Sequence, residues 1–221
     1  MTQSKSSLVL VFAALLLLAG CSGGKDKKAA IEAINKGMRK EALSLQVLLG
    51  RVGLGCAPIW AGSDSKDLSM VTQFQAAQKG GLISITPDGP GFWKVELVDA
   101  KPNVQEALKN AHHYGTDGCD YYWFGTTVAE KSVTDINLHE ISPEKAEAEF
   151  VWKWGLTPFG TRLVDNLSPQ QRTQVNTKLT TVDRRLHPDP MFDLADITQS
   201  SLPHPGKKSL KKSGDGWVLD E

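Results

Sequence analysis

This chain has little cysteine, no excess of charge of either sign and no apolar run of transmembrane length. Lys and Arg together number 25, and so do Asp and Glu. Without a basic excess the global electrostatic footprint of a nucleic-acid binder is missing. The apolar run Leu8 to Leu18 stops well short of the roughly 20 residues that cross a hydrocarbon core, and later runs are shorter still. Also missing are a Gly-x-Ser-x-Gly nucleophile elbow, a phosphate-binding loop, a His-Glu-x-x-His metal motif and any internal repeat. Ser-x-x-Lys does occur at Ser22, Ser63, Ser142 and Ser209, but a chain rich in both residues produces it by chance, and no Lys-Thr-Gly accompanies it. The sequence therefore offers no positive support for an enzyme, and neither catalytic residues nor a cofactor is expected.

What is present begins at the first residues. Lys5 supplies a positive start, Leu8 to Leu18 an apolar middle, and Ala19-Gly20 the small residues that a signal peptidase needs near its cut. Cys21 follows at once. It could close a membrane span, join a disulfide or carry a lipid. The stretch Leu18-Ala19-Gly20-Cys21 resembles the lipobox of bacterial lipoproteins. The resemblance implies a diacylglyceryl group on the Cys21 thiol, cleavage just before it and acylation of the new amine. One acyl chain anchors only marginally and each buried methylene adds about 0.8 kcal/mol, so three chains hold a protein durably. Ser22 rather than Asp after the anchor implies, by the enterobacterial sorting rule, the periplasmic face of the outer membrane. The expected organisation is a signal peptide at 1–20, a lipidated tether at 21–28 and a single domain at 29–221, with a helical half at 29–118 and a sheet half at 119–221. Lys5 is the one charge ahead of Cys21, so the mature chain keeps 24 basic against 25 acidic side chains.

At 221 residues with 40% hydrophobic content, the chain can bury one core of useful size. Ile31, Ile34, Met38, Leu45 and Leu48 fall near a 3.6-residue period, which predicts an amphipathic helix over 29–49 stopped by Gly50. Its stripe suits the domain core, or alternatively a lipid surface or partner helix. A second helix is expected over 64–79, with Leu68, Val71 and Phe74 on one face and Gly80-Gly81 as the breaker. Residues 82–98 read as a hairpin about Pro87-Asp88-Gly89-Pro90-Gly91, and 103–113 as a third helix. Helix, hairpin and helix resemble a winged helix in outline, yet these helices carry too few cations to neutralise phosphate, so the hairpin is expected to pack.

Residues 120–128, 131–140 and 145–156 predict an antiparallel meander. In the last, Ala146, Ala148, Phe150, Trp152, Trp154 and Leu156 alternate with mostly polar residues, the pattern of a half-buried strand. Ser168-Pro169-Gln170-Gln171 offers an N-cap hydroxyl, a first-turn proline and a reciprocating glutamine, predicting a helix continued by Val175, Leu179 and Val182. Residues 183–214 read as a long surface loop, and Asp215 to Leu219 as a short last strand. The fold class is α+β: helices plus a small β-hairpin first, then an antiparallel β-meander with a covering helix.

His112 and His113 near Asp117, Cys119 and Asp120 suggest a metal site on paper. Neighbouring helical residues point about 100° apart, however, so two imidazoles there do not readily face one ion, and no metal is expected. Lys207, Lys208, Lys211 and Lys212 form a basic patch that could meet anionic lipid or glycan or simply be solvated. In an oxidising compartment, Cys56 and Cys119 are expected to pair. The segments FGTTVAEKSVTDI, EAEFVWKWGLTP and GDGWVL together resemble small proteobacterial envelope lipoproteins of unknown function. That resemblance implies no activity. The expected role is non-catalytic binding of an envelope protein or component by a membrane-anchored domain, with no nucleic-acid partner. The alternative is a small-ligand domain with an apolar pocket between sheet and helix. An exposed apolar patch at Trp152 and Trp154 would favour the first, and an enclosed cavity the second.

Overall fold

A computed structural model describes residues 26–53, 71–100, 102–109, 113–115, 118–214 and 216–220. Helix α1 covers 26–38 and runs into a short 3-10 turn, Arg39–Glu41. The elements that follow are β1 (Leu43–Gly53), α2 (Thr72–Lys79), β2 (Ile83–Pro87), β3 (Phe92–Leu97), α3 (Pro102–Lys109) and β4 (Asp120–Ser142). Then come β5 (Lys145–Leu156), α4 (Pro158–Asn166), α5 (Pro169–Asn176), β6 (Leu179–Thr181), α6 (Ile197–Ser200), β7 (His204–Ser213) and β8 (Gly216–Leu219). Helices combine with antiparallel strands, so the class is α+β. By packing, the chain divides into two compact units, each drawn from separate stretches of sequence.

The first unit holds α1, residues 131–142 of β4, residues 145–153 of β5, and β7 with β8. Ala30, Ile34 and Met38 recur every fourth residue, so they share one helix face, and all three are buried. They pack with Ile136, Ala146, Ala148, Phe150, Leu210 and Trp217. Strand register brings Ala146 opposite Leu210 and Phe150 opposite Gly206. A side chain at Gly206 would meet the Phe150 ring, its Cβ falling 2.4 Å from a ring carbon, so glycine lets the ring lie flat there. Asp26 accepts from Lys212 Nζ at 2.8 Å, and the same ammonium sits 4.3 Å from the Trp217 ring centre. The alternate residues of β5 carry Glu147 and Glu149, which meet Lys207 at 2.6 and 3.5 Å.

The second unit is organised by β1. Along one edge it pairs with β4 from Leu43 to Arg51; on the other it meets β6 at Leu43 to Leu45 and β3 at Gly50 to Gly53. Leu45, Val47, Leu48, Leu49 and Val52 are wholly buried, so both faces of β1 are covered. The predicted helix over 29–49 is corrected here. Its first half is α1, but residues 43–49 are a strand apolar on both faces, and such a run mimics a helical stripe when only Leu45 and Leu48 are counted. Gly50 is no helix stop. It holds φ 104° inside β1, where a Cβ would lie 2.3 Å from the Asp120 carbonyl oxygen.

Other expectations shift less. The hairpin forms as predicted, with Gly89 and Gly91 at positive φ, and β3 joins it to the sheet, so it packs rather than projecting as a wing. Helix α2 begins at Thr72, while residues 54–70 lie outside the described residues. Helix α3 is described over Pro102–Lys109, and His113 lies outside any helix. The first two strands of the meander are one continuous β4, since nothing between Val128 and Lys131 forces a turn. Helix α4 was not anticipated, although Thr157 caps it by accepting from Gly160 N and Pro158 opens it. The Ser168–Gln171 capping box is present, but α5 stops at Asn176; Leu179 belongs to β6 and Val182 is exposed. Residues 183–214 are not one loop: they contain α6 and β7 and bury Phe192 and Leu194.

Candidate functional site

The candidate site is a groove of about 630 Å³ in the second unit. It is built where α2 ends and β3 leaves the sheet. Gly80 caps α2 and is buried; a Cβ there would meet Phe159 at 2.8 Å and Leu163 at 3.0 Å, so glycine permits the close approach of α4. That approach carries Arg162 to the Gly80 carbonyl, to which its Nε donates at 2.8 Å. At the other side, Val98 N donates to Leu82 O at 2.9 Å, and the chain then turns through Asp99. Asp99 holds φ 54°, the one non-glycine at positive φ among the described residues. An acidic residue tolerates this left-handed conformation better than most, at a modest cost in strain. Gln105 Nε2 donates to Ala100 O at 3.0 Å and ties the first turn of α3 to this bend.

Leu82, Leu97, Val98, Val104 and Phe124 wall the groove, and Arg162 and Asp99 add one cation and one anion. None of the apolar five is fully buried, and Val98 is 43% exposed. Neither the Asp99 carboxylate nor the terminal nitrogens of Arg162 has an ion-pair or hydrogen-bond partner among the described residues. The volume falls within the range of small-molecule sites, whose linings are mainly apolar with a few oriented polar groups. Chemically the groove can hold an apolar body and pair with charge of either sign at its rim. Sequence reading missed it because its charges come from distant segments, β3's exit and α4, and only the unusual backbone at Asp99 marks one of them.

Of the residues singled out in the sequence, Cys21 and Cys56 lie outside the described residues. Cys119 is half-buried and sits just before β4. Arg51 braces this approach by donating to Gly118 O at 2.8 Å and to Asp88 Oδ2 at 2.8 Å, while stacking on Phe92 at 4.2 Å. His112 and Asp117 also lie outside, but His113 Nδ1 and Asp120 Oδ1 are 2.6 Å apart. Tyr122 sits 5.3 Å from that imidazole, ring to ring. Its phenol is pushed up by burial first and then by the negative charge of Glu96 and Asp120, so it stays protonated. Among the described residues no group of His, Cys, Asp and Glu is arranged to hold a metal.

The predicted basic patch falls on β7, and three of its four lysines are paired: Lys207 with Glu147, Lys211 with Asp220 at 3.1 Å, and Lys212 with Asp26. Trp154 is buried, whereas Trp152 is half-buried with His204 stacked at 4.7 Å and Lys131 at 4.3 Å from its ring centre. These two residues form no exposed apolar patch. A second groove, of about 640 Å³, lies in the first unit and is lined by charged groups of both signs, among them Lys27, Asp135, Glu149 and Lys207. No described helix is long and apolar enough to cross a membrane. Compared with family models, curated proteins and solved structures, the chain matches none.

Proposed function

We propose that this chain is a lipid-anchored cell-envelope protein, held at the periplasmic face of the outer membrane, whose role is binding rather than catalysis. The observation that carries the reading is Leu18-Ala19-Gly20-Cys21 at the end of an apolar leader of signal-peptide length. Export also rationalises a bridge between Cys56 and Cys119, the two cysteines left once Cys21 carries lipid. The partner in this reading is an envelope protein, reached from a short tether. Cys21→Ala tests the anchor. The variant is expected to remain unprocessed or to leave the detergent phase on partitioning, and continued co-fractionation with the outer membrane would refute the anchor.

A second reading, small-ligand binding, is favoured by the groove beside Arg162 and Asp99. One feature supports it over a protein-docking face at the tryptophans: Trp154 is spent in the core and the Trp152 ring is flanked by His204 and Lys131. Ligand binding and lipid anchorage are compatible, since the first belongs to the folded chain and the second to its leader.

A further inference from the structure

We propose that the groove of the second unit binds an amphiphile with a zwitterionic head, such as an aminophospholipid, its phosphate meeting Arg162 and its ammonium meeting Asp99. This deepens the ligand-binding reading and rests on it. The argument is one of charge complementarity. Arg162 is fixed by one donor, Nε, on the Gly80 carbonyl, which leaves the paired terminal nitrogens without a described partner. Those nitrogens form the planar fork that suits a phosphate or carboxylate. Asp99 lines the same groove, is exposed, and has no described cation on it.

An acid and a base that share a groove without bonding one another call for a ligand carrying both signs. A purely anionic head would satisfy Arg162 and face the Asp99 carboxylate unpaired. A purely cationic head would do the reverse. The apolar side chains decide the rest of the ligand: Leu82, Leu97, Val98, Val104 and Phe124 present carbon surface that a free headgroup would leave wet and an acyl chain would cover. Asp99 also holds its left-handed backbone at this rim. Such outliers persist where the surroundings over-determine them, and here the Val98–Leu82 bond on one side and the Gln105–Ala100 bond on the other supply that constraint.

The test uses the full chain in a neutral maltoside detergent and a photoreactive lysophosphatidylethanolamine with a diazirine in a short acyl chain. Labelled peptides are located by mass spectrometry, and unlabelled lysophosphatidylethanolamine, lysophosphatidylglycerol and a fatty acid serve as competitors. The expected label falls on peptides containing Leu97 to Val104 and Phe124, and is competed best by the zwitterionic lipid. Asp99→Asn suits the test because Asn accepts the left-handed conformation, so the fold is kept. It should lower zwitterionic labelling about fivefold, the loss of one partly solvated charge pair, without lowering labelling by an anionic analogue, which no longer faces a like charge. Arg162→Gln should weaken both probes, with thermal melting confirming that the variant is folded. Label spread outside the groove, equal competition by the anionic lipid, or indifference to Asp99→Asn would overturn the proposal. Because the readout is peptide position, the result is independent of whether Cys21 is acylated.

Discussion

Replacing Trp154 with alanine removes an indole that is 1% exposed and meets Phe192 edge-on at 5.0 Å between ring centres. Truncating a buried aromatic to alanine costs about 3–5 kcal/mol, transfer and cavity together, and the well-buried site with a T-shaped partner argues for the upper part of that range. Trp152, two residues back on β5, is only half-buried, its ring flanked by Lys131 and His204. Part of its surface stays wet in the folded chain, so Trp152→Ala is expected to cost about 1–3 kcal/mol. Lys153 lies exposed between them, and Lys153→Ala should fall within about 0.5 kcal/mol of the parent. Urea unfolding followed by far-ultraviolet circular dichroism measures all three without relying on tryptophan emission. Trp152 belongs to the first unit and Trp154 to the second, so if two transitions resolve, each variant should depress its own. At about 2–4 °C per kcal/mol, Trp154→Ala should also lower the melting temperature by about 10 °C or more. Equal losses at Trp152 and Trp154, or a loss at Lys153 matching either, would refute the burial argument.

Ser168→Ala deletes the hydroxyl that accepts from Gln171 N and should cost about 1 kcal/mol in the same assay; a Thr at the position should restore most of it. The Asp183 carboxyl is held down to about 2, from 3.8, chiefly by the hydrogen bond from the Arg185 side chain. Its depressed value favours the folded chain above the unfolded pKa and fades as pH falls through about 2, so Arg185→Ala should return the carboxyl toward 3.8 in an NMR titration, and an unmoved value would contradict the assignment. Denatured, unreduced protein taken from the envelope should show no reactive thiol at Cys56 or Cys119; a bridge there closes a loop of about sixty residues and is worth up to about 4 kcal/mol. Two reactive thiols would refute the pairing.

The bounds of strand β5 were legible because alternation along 145–156 records a strand covered on one face, but the burial it implies holds at Ala146, Ala148, Phe150 and Trp154 and not at Trp152 or Leu156, which are half-buried. The strand β1 was not, because a strand covered on both faces loses its period of two and Leu45 and Leu48 then read as a helix. Strand β7 hid behind lysines: only Leu210 along it is buried, and Pro205 and Gly206 read as loop residues although both lie in register with β5. The cap at Ser168 carries a reciprocating Gln171 three residues on, whereas Thr157-Pro158 has Gly160 at that place and so offers a weaker local signal. The groove was beyond sequence reading for a different reason. Asp99 and Arg162 are brought together by the packing of α4 on the glycine that ends α2, a tertiary event that no local pattern encodes.

The central claim, a lipid anchor on an envelope binding protein, is tested most directly by the mass of the N-terminal peptide of the chain isolated from membranes. The account predicts a peptide that begins at Cys21 and carries a diacylglyceryl thioether and an acylated amine. A peptide beginning at Met1, or one with Cys21 unmodified or in a disulfide, would contradict it.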